Sequence, residues 1–339
     1  MKRLLSPLRL AVGGIVLLLV TVVILLTTSS NAYLIIPDKA HPLAALVTVP
    51  GGRDETGDGG IYYVDVLQKK ASLLERMFPG LREGSTLVDR NDIAPPGFTD
   101  RQRIAADRRA MELSQQIASA VALRRLGYKV KISLDGVIVA EVNASSHAVG
   151  KLQPGDVILA VNGKRVYTTT QLRAAVGSHR VGAVLRVTIR RNGQTRRVKI
   201  RTSRDQETSR PVLGILAETS PALAVHLPLK IKFNLQNVGG PSAGLAFALQ
   251  ILEERGVDVD HGYRVAATGV IEPDGSVGPI GGVKQKTIGA RQAHVDVFLV
   301  PAGDNYREAR KYAHGLRLIP VKSFQQALRA LATLPQKRQ

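Results

Sequence analysis

The stretch Asn237-Val238-Gly239-Gly240-Pro241-Ser242-Ala243-Gly244-Leu245 constrains this chain more than any other. A polar, glycine-rich turn runs straight into an apolar segment from Leu245 to Leu252. The paired glycines allow backbone angles that other residues resist. Pro241, with φ fixed, suits the entry of a helix. Ser242 is therefore expected at or beside a helix N-terminus, where free N–H groups and the helix dipole favour negative charge. A serine so placed suits a reaction that builds an oxyanion. A Gly-Pro-Ser turn that merely caps a helix is the competing reading, and residues further along decide between them.

With 339 residues the chain has room for two or three domains. Aromatic residues are only 4% and Trp is absent, so stacking platforms for single-stranded nucleic acid are poorly supplied. A formal net charge of +20 points to an anionic surface nearby, whether membrane lipid, cell-wall polymer or nucleic acid. From Arg180 to Arg204 there are nine Lys or Arg and no acid, which reads as a solvated hairpin face or a binding patch. There is no cysteine, which excludes a disulfide framework, a thiol nucleophile and thiolate metal ligands.

Lys2, Arg3 and Arg9 precede an uncharged run from Leu10 to about Thr28, rich in Leu, Val and Ile. At about 1.5 Å per residue it is long enough to cross a bilayer core of about 30 Å. Positive residues ahead of it, with only Lys39 soon after, place the N-terminus in the cytoplasm. The expectation is a single-pass cell-membrane protein with its bulk extracytoplasmic, residues 1–32 forming the cytoplasmic tip and transmembrane anchor. A cleavable signal peptide ending at Ser30-Asn31-Ala32 competes, but the run is longer than the usual signal core. Anionic lipid or cell-wall polymer then becomes the partner of the basic face, and the outside topology argues against nucleic acid.

The remainder divides into three expected regions. Residues 33–127 hold a strand, Ile61 to Leu67, a loop from Asp89 to Gly97, and a long helix, Thr99 to Leu126, with Thr99 or Asp100 as its cap. Residues 128–204 form a compact β-rich module. It has a strand at Val137 to Val142, a short helix at Thr168 to Val176, and two strands joined across Asn192-Gly193, a strong hairpin signal. Its text "LQPGDVILAVNGKRV" resembles a PDZ domain, a module that adds an extended peptide to a sheet edge. Leu126-Gly127-Tyr128 is only a partial echo of the carboxylate-binding loop. Residues 205–339 open with a polar linker, Asp205 to Ser209, and then alternate strands with helices as an α/β or α+β unit. Tyr263 to Ile271, Val295 to Pro301 and Leu316 to Val321 read as strands of this unit.

A serine hydroxyl needs a base. Gly240-Pro241-Ser242-Ala243-Gly244 formally matches the nucleophile elbow of α/β-hydrolases, which would call on Asp304 and His314. That elbow follows several sheet strands, and the histidines lack any supporting motif, so the match is taken as coincidence. Lysine fits better. Lys284 and Lys286 follow Gly281-Gly282 at the start of an expected helix, where the dipole disfavours the ammonium form. Residues two apart on a helix point differently, so one of the pair faces Ser242 and the other faces solvent.

These residues bring a family into view. "GGPSAGLAFAL" followed by "AATGVIEPDGSVGPIGGVKQKTIGA" resembles the proteolytic domain of Lon proteases, and the anchor–PDZ–protease order resembles membrane-anchored, PDZ-containing Lon-like proteases of bacteria. The resemblance implies an α+β multidomain fold with an N-terminal transmembrane helix, a PDZ-like module and a Lon-type α/β proteolytic domain. It implies a Ser–Lys dyad of Ser242 and Lys286, with Thr268 orienting the lysine. The backbone N–H groups of Gly240 and Ser242 are the expected oxyanion donors. It implies protein or peptide substrates, a ring-like homo-oligomer, and no cofactor or metal. No Gly-x-x-x-x-Gly-Lys-[Ser/Thr] occurs, so cleavage is expected to be independent of ATP. Gly239 and Val270 stand where many Lon sequences carry acids, which leaves the dyad intact but changes its electrostatics. A non-catalytic PDZ scaffold of the cell envelope is the alternative.

Overall fold

The computed structural model describes residues 7–52, 59–93, 100–133, 135–205, 210–219, 224–235 and 238–337, with side chains from residue 11 onward and excepting those at 91–92, 133, 218–219 and 224–226. Thr99, Asn237, residues 94–97 of the expected loop and residues 206–209 of the expected linker lie outside the described residues.

A five-stranded sheet organises the C-terminal half. Its order is His41–Pro42, Gly60–Tyr63, Arg264–Ala267, Val297–Pro301, Arg317–Val321. The last four run parallel, and His41–Pro42 is antiparallel to its neighbour. Val297–Pro301 is buried at every position, as a parallel strand covered on both faces must be. Side chains alternate between two cores. Val265, Ala267, Val297 and Leu299 join residues of the helices Asp100–Arg125, Gly244–Glu254 and Phe324–Ala332. Ala266, Phe298 and Val300 join Val283 and Ala290 of the helix Val283–Gln292 and Ala309 of Asp304–Arg310. The helix that begins beside Ser242 and the helix that carries Lys286 therefore cover opposite faces of one sheet.

Two expectations about organisation are corrected. Residues 33–127 are not a region of their own. Gly60–Tyr63 pairs alongside Arg264–Ala267, and Met111, Ile117, Ala118 and Val121 of the long helix lie in the same core as Leu245 and Leu249. Strand 264–267 would otherwise present an open parallel edge, and pairing with 60–63 closes it. The single strand expected from Ile61 to Leu67 breaks at Val64-Asp65. Its second half, Val66–Ser72, crosses to a three-stranded antiparallel sheet around Ser29–Pro37, with Thr86–Asp89 on the far side. The second correction concerns residue 205 as a boundary. Ile215–Thr219 pairs with Val137–Val142 and forms the edge of the β-rich module's sheet. In that sheet the hairpin turns at Asn192 (φ +50°) and Gly193 (φ +78°), left-handed angles that match a two-residue primed turn.

Pro7–Thr27 forms a 21-residue helix, and Leu17, Leu18 and Leu19 on it are 69%, 63% and 59% exposed. Among the described residues, no helix is long and apolar enough to cross a membrane. The stretch expected as a transmembrane helix is helical, but a membrane span finds no support among the described residues. Ser30 and Ala32, of the alternative cleavage site, are buried within the strand Ser29–Pro37.

Candidate active site

The turn ahead of Ser242 is held from two sides. Gly240 takes φ +84°, an angle that favours glycine, and leads into a 3₁₀ turn, Pro241–Ala243, continuous with the helix Gly244–Glu254. Gly239 packs so closely on the long helix that a β-carbon there would stand 2.9 Å from Asp107 Cβ. Ser114 Oγ donates to the Pro241 carbonyl at 3.0 Å. From the sheet side, Thr268 Oγ1 and the Gly269 N–H both donate to the Ser242 carbonyl, at 3.1 and 2.8 Å. The strand expected as one piece, Tyr263 to Ile271, is interrupted at Thr268-Gly269, where the chain turns toward the serine. This point is the carboxyl end of a parallel strand, where open α/β sheets place their ligands.

Lys286 reaches the same point from the other face. Its Nζ donates to Ser242 Oγ at 2.5 Å. The side chain is 3% exposed, and burial pulls its pKa down to about 8, with Asp65 working in the opposite direction. Gly282, at φ +67°, starts the helix, so Lys286 lies in its first turns, where the dipole also opposes an ammonium. Lys284 points elsewhere: its Nζ donates to the Ser85 carbonyl at 3.1 Å and sits 5.8 Å from the centre of the Tyr312 ring. The geometry thus separates two lysines that helix spacing alone leaves equivalent, and it puts against the serine the one that the family resemblance implies.

Two expected roles are corrected. Thr268, fully buried, donates to the Ser242 carbonyl rather than to Lys286, because Thr268 continues the strand Arg264–Ala267 directly under the serine turn. The Gly240 N–H donates to the Asp107 carbonyl at 2.8 Å and is not open to an oxyanion. The Ser242 N–H, early in its 3₁₀ turn, has no acceptor within the helix by geometry alone. Asp304 is 61% exposed and paired with Arg210 and Arg307, so it takes no part beside Ser242.

Sequence reasoning missed Asp65, which follows the strand Gly60–Tyr63. Burial raises its pKa, as does Asp38, while His41 and Lys286 lower it. His41 Nε2 stands 3.3 Å from Asp38 Oδ2 and 3.9 Å from Asp65 Oδ1, stacked on the Tyr63 ring. No local signal marks Asp65, because its proximity to the lysine arises from strand pairing. Among the described residues, Asp38, His41 and Asp65 form one cluster with ligand atoms within 4.8 Å, and Glu253, Asp258 and Asp260 form another. Glu253 already accepts the N–H groups of Val259 and Asp260, and no metal is assigned to either cluster.

In the β-rich module, Ile215–Thr219 is an edge strand, and the helix Thr169–Gly177 packs near it. Leu213-Gly214-Ile215, with Gly214 at φ +69°, enters that edge. The module also touches the site's support. Thr168 caps the helix by accepting the Gln171 N–H and donates to Glu272 Oε2 at 2.7 Å, both residues buried. Glu272 ends the short strand Val270–Ile271 that leads away from Gly269.

A hydroxyl bonded to a buried lysine at the carboxyl end of a parallel strand sets a candidate nucleophile against a candidate base. Residues 225–333 match the Lon protease (S16) C-terminal proteolytic domain, and residues 124–202 match the PDZ domain, so the chain carries a PDZ domain followed by a Lon-type proteolytic domain. Lon protease 2 of Bacillus subtilis is 35% identical over 103 residues, which are 30% of this chain and 18% of that protein. Lon protease of Chloroflexus aggregans is 37% identical over 100 residues, 28% of this chain and 12% of that protein. The chain therefore spans less than a fifth of the length of these curated relatives. Among solved structures, the PDZ domain of the SdrC-like protein from Listeria monocytogenes is 22% identical, covering 26% of this chain and 92% of that one at a TM-score of 0.25, too low for anything further to rest on it.

Proposed function

We propose that this chain is an ATP-independent, membrane-anchored serine endopeptidase that cleaves unfolded or membrane-tethered polypeptides on the extracytoplasmic side through a Ser242–Lys286 dyad. The 2.5 Å contact between Lys286 Nζ and Ser242 Oγ carries the reading. Neutral Lys286 takes the hydroxyl proton as Oγ attacks the scissile carbonyl carbon. The oxyanion meets the Ser242 N–H at the helix entry. The tetrahedral intermediate collapses, and the leaving amine takes the proton back from Lys286. Water, deprotonated by the same lysine, then attacks the acyl ester and frees Ser242.

The PDZ domain would hold an extended segment of substrate against the edge strand Ile215–Thr219. Anchoring is supported by the 21 residues of Pro7–Thr27, about 30 Å of helix, on which Val12, Ile15, Val16, Leu17, Leu18 and Leu19 are exposed. Burial of Ser30 and Ala32 in a strand supports retention of that helix.

The test is cleavage of an unstructured peptide, together with labelling by a serine-reactive probe. Ser242→Ala and Lys286→Ala should abolish both, and Lys284→Ala should keep both. Full activity in Lys286→Ala would sink the dyad. Failure of the unaltered chain to label would favour the non-catalytic scaffold.

A further inference from the structure

A cluster of exposed apolar side chains lies beside the end of the N-terminal helix. At the end of the short helix Leu73–Met77 and just beyond it, Met77, Phe78 and Leu81 are 60%, 54% and 58% exposed. A soluble surface rarely gathers three such side chains within five residues unless they meet something.

Their position is set by the backbone. The strand Ser29–Pro37 begins two residues after the helix Pro7–Thr27 ends, with no linker between. Ser29 pairs with Ser72, and the Leu73 N–H donates to the Thr28 carbonyl at 2.9 Å. The helices Pro7–Thr27 and Leu73–Met77 touch. Five helical residues cover about 8 Å. Phe78 therefore sits within about that distance of the place where the long apolar helix ends. If that helix enters lipid, this is the depth of the headgroup layer, which adds several ångströms to each side of the core.

Charge agrees. Lys69, Lys70, Arg76 and Arg82 surround the segment, against Glu75, Glu83 and Asp100, the last paired with Lys70 at 3.4 Å. Glu75 is buried and spent internally: it accepts from Lys69 Nζ (2.8 Å), Arg82 Nε (2.9 Å) and the Ser72 N–H (3.0 Å). Burial alone would raise its pKa, but these partners pull it down to about 2, so it stays ionised within the cluster. Four cations against three acids leave the rim a small positive excess around an apolar tip, a composition suited to the boundary between headgroups and acyl chains of an anionic bilayer.

We propose that Met77, Phe78 and Leu81 form a second membrane contact, inserting into the interfacial layer of an anionic bilayer and holding the proteolytic and PDZ domains at a fixed tilt over it. This rests on the anchoring reading above, because the bilayer is placed by Pro7–Thr27. The chain has no cysteine, so a single introduced one labels uniquely.

The test uses the full chain reconstituted in vesicles of phosphatidylcholine and phosphatidylglycerol. Phe78→Cys, Leu18→Cys and Arg197→Cys each carry an environment-sensitive fluorophore. Position 78 should be quenched by lipid bearing a nitroxide near the headgroup and be insensitive to aqueous iodide. Position 18 should be quenched by mid-chain nitroxide, and position 197, on the PDZ sheet, by iodide alone. Quenching at 18 with iodide access at 78 would overturn the second contact while leaving the anchor standing. Protection of 78 from both quenchers would assign the patch to a protein partner and also overturn it. Quenching of 78 without 18 would support the contact and remove the span, and lipid quenching at neither position would remove both.

Discussion

A β-carbon added at Gly289 would stand 1.7 Å from the carbonyl oxygen of Asp38, so the helix bearing Lys286 rests directly on the backbone of the N-terminal segment. That contact places the lysine against Ser242. Gly289→Ala should push the helix outward and cost roughly 1–3 kcal/mol of stability. Peptide cleavage should fall on the order of a hundredfold, since small displacements of a catalytic base are expensive. Unchanged kinetics with an unchanged melting temperature would show that the helix is not seated this way.

The base must be neutral to act. Activity against a peptide should rise with pH through a midpoint near 8, the depressed value of Lys286. The Asp65 carboxylate favours the ammonium form, so Asp65→Asn should move that midpoint to lower pH. A pH–rate profile of kcat/KM for both proteins checks this, and an upward shift in the variant would contradict the assigned sign.

Burying the lysine also carries a stability cost with a defined pH window. Its folded pKa of about 8 lies below the ordinary value of 10.5, so the unfolded chain binds more protons between the two. The cost is full below the lower value and fades as pH rises toward the upper one. Lys286→Met should therefore stabilise the chain at neutral pH by roughly 3 kcal/mol, with the advantage shrinking under alkaline conditions. Denaturant melts at neutral and alkaline pH would read the difference directly, and equal gains at both would rule out desolvation as the cause.

Thr168 ties the PDZ domain to the strand behind Gly269 through Glu272. Thr168→Val removes both its cap and its bond to a buried carboxylate, and should cost about 1–3 kcal/mol. Thr168→Ser keeps both and should restore stability. Hydrogen exchange at residues 270–278 should speed up in the valine variant only; equal protection in all three proteins would mean the contact carries no coupling.

Much of this molecule is written locally. Gly-Gly-Pro-Ser entering an apolar run places Ser242 at a helix entry because glycine and proline act on their own backbone angles. Asn192-Gly193 makes its hairpin for the same reason. The long helix, expected from Thr99 to Leu126, forms at Asp100–Arg125 from its own periodicity. What was not legible depends on partners far away in the chain. The strand near Ile61 was readable, but not its place beside Arg264–Ala267, about 200 residues on in the numbering. Ile215–Thr219 joins the β-rich module rather than residues further along the chain, and a short strand does not name its neighbour.

Residue identity by itself determined the pair of groups, a serine in a glycine-rich turn and two lysines after a double glycine, since those choices reflect chemistry and local backbone geometry. Only the tertiary structure put Lys286 on the serine and Lys284 on the Ser85 carbonyl, turned Thr268 toward the Ser242 carbonyl, and closed the Gly240 N–H onto Asp107. Those outcomes follow from packing two helices on opposite faces of one parallel sheet. Hydrogen bonds and desolvation there depend on groups that meet in space, and the linear order carries no direct record of them.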